Sequence, residues 1–357
     1  MRLVSLLKNP FDFLKAKRNV AFDFLKLIAL LSVILDHSLQ RWIENSQYTQ
    51  LYNFIFLFQM PAFMFVAGFF VFRQHQKINS YSLKDSFALI AKKVLCLFVP
   101  FISFAIIKSL VTCNYQGIYL CFLYPQKSLW FLWSLMWMEI MMFVSQLISI
   151  KLFKLKTNLL HFFCLILYCV FLSPFVVLLI LKRPFFDSKL ICYYSLFFIA
   201  GYLYNFWFNC ILSKKILYQC IIFFSSLICV VAVMIAHGTI IFDEDTFLNL
   251  LIRMIGSLGA VLSVLQLSIL LSRLRIIESV SKIGRLSLEF YYCHLLLLLI
   301  PVFQNFVKNP FIFVLLYTSL VVITFASILL LKTNAITDFI CFGKITRFER
   351  KEATAHV

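Results

Sequence analysis

Phe22–Gln40 reads FDFLKLIALLSVILDHSLQ, a run long and apolar enough to sit in a bilayer that nevertheless carries Asp23, Lys26, Asp36 and His37. Ionisable groups inside a span are costly, and their presence marks function by default. Lys26 and His37 are 11 positions apart, three helical turns, so they fall within roughly 20° of one face and about 16 Å apart along the axis. One face of the first helix thus presents a cation at one level and an imidazole at another. An extended thioester such as acyl-CoA, with phosphates at one end and a reactive carbonyl at the other, needs such a pair. Asp36 lies about 100° away around the helix and does not orient the imidazole from the same face; its plain role is a polar contact at the membrane boundary.

The rest of the chain extends this pattern. Of its 357 residues 62% are hydrophobic and 13% charged, with a mean hydropathy of +0.94. A soluble domain is nearer half apolar and a quarter charged. Ten apolar runs approach the ~20 residues a spanning helix needs: 21–40, 51–72, 87–111, 129–150, 159–181, 190–209, 216–236, 247–271, 287–307 and 311–331. The ten-residue alternation of a membrane β-barrel is absent. The expected fold is all-α, a polytopic membrane helix bundle of about ten transmembrane helices. With the N-terminus inside, 24 of the 33 Lys and Arg residues fall on inside segments and six on outside loops, and Asp243, Glu244 and Asp245 form an acidic outside loop. This positive-inside bias puts both termini in the cytoplasm. The expected organisation is a cytoplasmic segment over 1–20, one transmembrane domain over 21–332 and a cytoplasmic tail over 333–357.

The net charge of +18 comes in short clusters between spans, which is a topology signal and not the basic stripe of a nucleic-acid binder. The eleven cysteines lie mostly in apolar runs without a CxxC pair, where Cys behaves as a small hydrophobe. Cys113 and Cys121 share one outside loop and are open to pairing. The six histidines lack ligand spacing, so no metal site is expected. The basic start through Asn19 leads into a full-length span without a small-residue cleavage site, unlike a signal peptide.

Asp23, Lys26 and His37 in AFDFLKLIALLSVILDHS resemble the opening span of the acyltransferase-3 family of integral membrane O-acyltransferases: an Asp, a basic residue three later, and a His after ten intervening residues. Arg is the commoner basic residue; Lys is typical of the branch similar to fucose and polysaccharide O-acetylases. Further stretches agree in order. Phe58–Phe70, FQMPAFMFVAGFF, resembles the second span, in which Pro61 loosens the helix and Gly68 allows close approach. Lys92 and Lys93 before Pro100 resemble the basic cluster of the third, although Cys96 stands where the family usually has an Arg. Ser128–Leu135, SLWFLWSL, resembles the Trp-Phe-Leu span, with Trp130 and Trp133 open to the plainer reading of an interfacial belt. Glu139 lies deep in that span and should face the bundle interior. Gly284–Leu295, GRLSLEFYYCHL, resembles a late helix in which Ser287, Tyr291 and His294, at i, i+4 and i+7, share a face.

The resemblance implies a membrane O-acyltransferase, chiefly an O-acetyltransferase, in the bacterial cytoplasmic membrane. It implies a cytoplasmic acyl-CoA donor, most often acetyl-CoA, with no metal. The acceptor is a hydroxyl of a surface polysaccharide or its lipid-linked precursor. His37 is the expected catalytic residue, as general base or as acyl carrier. Lys26, Lys92 and Lys93 are the expected contacts to donor phosphates, and Asp23, Glu139, Ser287, Tyr291 and His294 line the substrate path. If Lys26 serves only as Asp23's ion-pair partner, removing both charges together should restore what removing one loses. The competing function is a transporter or flippase for a lipid-linked sugar, which explains spans and buried charges but not the ordered motifs. A sugar-polymerising enzyme would need a large outside loop with paired Arg residues, which the sequence lacks.

Overall fold

The computed structural model describes residues 19–44, 50–125, 128–153, 157–182, 185–211, 216–237, 247–300, 307 and 309–344. Among them the chain is helical, without a strand. The helices are α1 (Val20–Trp42), α2 (Gln50–Phe72), α3 (Gln74–Ser80), α4 (Leu83–Val111), α5 (Gln116–Leu123), α6 (Trp130–Leu147), α7 (Thr157–Ile180), α8 (Ser188–Ile211), α9 (Ile216–His237), α10 (Phe247–Leu271), α11 (Arg275–Ser281), α12 (Ser287–Leu297), α13 (Pro310–Thr333) and α14 (Ala335–Phe342). Six stretches are long and apolar enough to cross a membrane: Gln50–Ser80, Leu83–Val111, Trp130–Leu152, Leu159–Ile180, Asn249–Leu271 and Pro310–Thr333. The chain is therefore an integral membrane protein. α1 is not among the six, because Asp23, Lys26, Asp36 and Arg41 dilute its apolar run.

Each of the ten apolar runs carries a helix, but the ninth is short. α12 has 11 residues, about 16 Å at 1.5 Å per residue, roughly half a hydrocarbon core. After it the amides of Leu298, Leu299 and Ile300 fold back onto the carbonyls of His294, Leu296 and Leu297. Pro301 follows, and the residue before a proline is driven out of the α region. The remainder of that expected span, from 301 to 306, lies outside the described residues.

The chain forms two compact units. Of the described residues, those within 70–199 and 328–344 form one, and those within 19–69 and 200–327 form the other. In the second, Phe22, Leu25 and Ala29 of α1 pack with Phe58, Ala62, Phe65 and Phe69 of α2 and with Ala260, Val261 and Leu265 of α10. Lipid tails are as apolar as these side chains, so close fit holds such helices together, and small residues such as Ala29, Ala62 and Ala260 let backbones approach. α1 starts cleanly: Asn19 accepts the Ala21 amide at 3.1 Å, an N-cap, and Asp23 lies in the first turn, where the helix dipole favours an anion. α2 runs unbroken through Pro61.

In the other unit α6 packs against α4 and α7. Trp133 is buried, its Nε1 donating to the Phe186 carbonyl at 3.3 Å, and Trp130 stacks on Tyr194. Neither behaves as a lipid-facing belt residue. Cys96 is small because α14 closes on α4 here: Gly343, at φ +66, ends α14 with its carbonyl accepting from the Cys96 thiol at 3.2 Å. A Cβ on Gly343 would meet Cys96 Cα at 2.5 Å. Cys113 and Cys121 are both free thiols, and burial pushes the Cys121 thiol up to about 11.

A 3-10 turn, Phe185–Asp187, precedes α8. Asp187 is 4% exposed, and its Oδ2 has no hydrogen-bond partner among the described residues. Burial pushes its carboxyl up to about 7. The unfolded chain ionises an Asp near 3.9, so between those values the folded state holds a proton that the unfolded state has lost, and stability falls as pH rises through that window. The loss approaches on the order of 4 kcal/mol at most above pH 7. Melting of the purified protein should therefore be lower at pH 8 than at pH 5, and Asp187→Asn should flatten that difference. An unchanged pH slope in the variant defeats the assignment.

Candidate active site

The site is built in the second unit, by α1, α12 and the 3-10 turn Lys282–Leu286 that leads into α12. Asp23 is the hub at one end. It is 1% exposed, with Oδ1 2.8 Å from Lys26 Nζ and Oδ2 3.0 Å from Arg285 Nε. The first pair is the local i, i+3 contact of a helix; the second joins residues 262 positions apart. One buried carboxylate thus contacts two cations.

Gly284 makes this possible. A Cβ there would lie 2.0 Å from the Asp23 carbonyl oxygen and 3.0 Å from the Leu27 nitrogen. Both are backbone atoms of α1 that no rotamer change moves aside. The turn sits directly on the helix, and Arg285 is thereby aimed at Asp23. Gly284→Ala should push the turn off α1, at a cost of about 1–3 kcal/mol, lowering the melting temperature of the purified protein. A variant melting with the parent would show that the turn accommodates the methyl.

At the other end stand two imidazoles. The His37 and His294 rings are 5.5 Å apart between centroids, and Tyr291 lies 5.9 Å from His294. His294 is fully buried, and its Nδ1 donates to the Phe290 carbonyl at 2.6 Å. That bond fixes the tautomer: Nδ1 carries the proton and Nε2 the lone pair. Nε2 has no hydrogen-bond partner among the described residues, so a buried acceptor is held open beside half-buried His37. Beyond the pair, Arg41 of α1 reaches the Leu298 carbonyl at 3.2 Å. With Asp23 against Gly284 and Arg285, His37 against His294 and Arg41 against Leu298, α1 and α12 run side by side in the same direction. The cationic pole and the imidazole pole therefore lie at different levels of one helix pair.

Asp36 turns away from this face, accepting from Gln59 Nε2 of α2 at 2.8 Å, the off-face polar contact expected of it. Of the three α12 residues, Tyr291 and His294 meet and Ser287 does not join them; it opens the helix two turns earlier, roughly 10 Å along the axis. Glu289, 1% exposed in the first turn of α12, is a buried carboxylate that the motif reading passed over, although its place inside SLEFYYCHL marks it. Arg285 was passed over too, counted only as an inside charge.

Lys92, Lys93 and Glu139 belong to the other unit. There Lys93 Nζ of α4 lies 3.0 Å from Glu139 Oε2 of α6. Two residues expected in separate roles, donor contact and acceptor path, are each other's ion-pair partners.

The family model described as an acyltransferase domain matches residues 19–333. That span includes both poles and every expected site residue. No curated protein and no solved structure matches the chain.

Proposed function

The chain belongs to the acyltransferase-3 family and is an acyltransferase, and from that premise we propose that it moves an acyl group, chiefly acetyl, from cytoplasmic acyl-CoA to a hydroxyl of a surface polysaccharide or its lipid-linked precursor. The observation that carries the reading is the pair of poles along α1 and α12. A cluster of two cations on one carboxylate suits the phosphates of the donor. Two imidazoles higher on the same helices suit proton transfer at its carbonyl. Lys26 lies on the same helix as His37, whereas Lys92 and Lys93 belong to the other unit, so Lys26 is the contact to donor phosphate that the reading rests on.

In the proposed reaction His37 accepts the hydrogen bond of the reacting hydroxyl, and the open Nε2 of His294 accepts one from a neighbouring hydroxyl of the acceptor. His37 takes its proton as the oxygen adds to the thioester carbonyl. The tetrahedral intermediate collapses with loss of the CoA thiolate, which takes the proton from the imidazolium. The C–S bond is exchanged for a C–O bond, and no proton is gained or lost overall. His294, able only to accept at Nε2, is a positioning residue. Mass spectrometry of surface glycans with and without the gene tests the whole reading. The expected result is the loss of one acetyl unit per modified sugar; identical glycans would sink it.

The proposed topology has ten spans with both termini cytoplasmic, in the bacterial inner membrane. Positive-inside charge supports it, as do helices of 22 to 24 residues at α1, α8 and α9 beside the six stretches long and apolar enough to cross a membrane. Cysteine labelling at Glu244 should come from outside and at Ala353 from inside. Labelling of both from one side excludes this topology.

A further inference from the structure

α13 ends at Thr333 and α14 follows at once, with the Asn334 side chain accepting the Ile336 amide at 2.9 Å as its N-cap. Charge along the sequence places everything from 333 on in a cytoplasmic tail. The side chains of α14 are not those of a helix in water. Ile336, Phe339 and Ile340, at i, i+3 and i+4, share one face and are 53%, 37% and 44% exposed. Asp338, Cys341 and Phe342 are buried on the opposite face, and α14 packs on α4. Asp338 is turned inward, its Oδ1 3.9 Å from Lys332 Nζ, and the Thr337 hydroxyl donates back to the Asn334 carbonyl at 3.0 Å. A helix on a water-facing surface does the reverse and turns its polar residues outward. Every exposed side chain of α14 is apolar.

This face continues the lipid surface of α13. Leu330, one turn before that helix ends, is 72% exposed, and Pro310–Thr333 is long and apolar enough to cross the membrane. Depth agrees. α4 has 29 residues, about 43 Å at 1.5 Å per residue, against a hydrocarbon core of about 30 Å. Lys84, Asp85, Lys92 and Lys93 lie in its first half, so the surplus length is at that end and the core begins near Lys93. Gly343, which ends α14, packs one turn deeper: its carbonyl accepts from the Cys96 thiol at 3.2 Å, and a Cβ on it would stand 2.8 Å from the Leu95 carbonyl oxygen. α14 therefore ends level with the edge of the hydrocarbon.

We infer that α14 is an interfacial helix clamped between α4 and lipid, with Ile336, Phe339 and Ile340 seated among the phospholipid acyl chains just beneath the headgroups. An apolar helix face holds to a bilayer in this way through the area it buries there. Residues 335–342 then belong to the membrane domain and not to a free tail. On the proposed topology the leaflet is the cytoplasmic one; the seat itself depends neither on that nor on acyl transfer.

The test is photolabelling of the full-length protein in vesicles of phosphatidylcholine and phosphatidylglycerol, read by peptide mass. One probe is a phospholipid with a diazirine near the carbonyl end of an acyl chain; the other is a water-soluble diazirine present on both sides of the membrane. Trypsin, cutting after Lys332 and Lys344, releases TNAITDFICFGK, residues 333–344, which carries both faces of α14. Ile336, Phe339 and Ile340 should take the lipid label and be shielded from the aqueous one. Asp338 and Cys341, buried on the other face, should take neither, and exposed Lys84 and Asp85 should take the aqueous label. Aqueous labelling of Ile336, Phe339 and Ile340 at the level of Lys84 overturns the proposal. So does absence of the lipid label from all three; a cross-link joining two 333–344 peptides would then identify the face as a contact between copies of this chain.

Discussion

His37→Ala should lower acyl transfer by about 10²–10⁴-fold, the usual contribution of a positioned general acid–base, while the protein accumulates as before. His37 keeps some exposure, and its removal leaves intact the core that Phe22, Leu25 and Ala29 of α1 make. A loss confined to turnover is what a base predicts. His294→Ala should behave differently. That imidazole is fully buried and tied to the Phe290 carbonyl; with Nδ1 donating there, its Nε2 offers the acceptor a place to dock. Its loss should raise the apparent KM for acceptor more than it lowers kcat. The comparison uses labelled acyl-CoA and purified protein, with abundance measured for each variant. Near-normal transfer by His37→Ala would return His37 to an ordinary helix contact. A His294 variant as dead as the His37 variant in kcat would make the two imidazoles a single catalytic unit.

The spacing of Lys26 and His37 could be read directly, because both lie on one helix and helical geometry is periodic. Their partners could not. Arg285 and His294 reach α1 from the far end of the chain, and no local rule pairs residues 262 positions apart. The sequence placed Asp23 beside Lys26 because i, i+3 contacts are local; it had no means of showing that the same carboxylate has a second oxygen in use. Whether Trp133 is a belt residue or a buried one was open in the sequence for a related reason. In a bilayer both the lipid face and the interior are apolar, so hydropathy does not separate a belt residue from one buried in the unit. The ninth span ran long because Leu295–Ile300 continues the apolar run past the end of α12, and a composition window does not register Pro301 as a stop. Gly284, noted as part of a motif, acquires its physical reason only from the α1 backbone it touches.

The third charge reverses one expectation about Lys26. With Asp23 and Lys26 alone, Lys26→Met strands a carboxylate, and the double change Asp23→Asn with Lys26→Met restores neutrality. Arg285 changes that balance. Lys26→Met leaves Asp23 paired with Arg285 at 3.0 Å, so that carboxylate is not stranded and the protein should fold and accumulate. Asp23→Asn instead leaves an ammonium and a guanidinium together around a site that is 1% exposed. Removing one partner of a buried pair costs about 3–5 kcal/mol, a large share of a typical 5–15 kcal/mol of stability, so this variant should accumulate poorly. The double variant still removes the Asp23 carboxylate that Arg285 contacts and should not recover fully. Lys26→Met is therefore the clean test of the donor contact. It removes one cation from the cluster, and loss of a charge-assisted hydrogen bond worth about 1.5–3 kcal/mol should raise the acyl-CoA requirement by roughly tenfold or more. Lys26→Arg keeps the charge and should retain activity, although its fork is not equivalent to a point charge. The measurement is the acyl-CoA dependence of transfer at matched protein abundance. A Lys26→Met enzyme with the parent's acyl-CoA dependence would show that Lys26 serves the helix packing and not the donor.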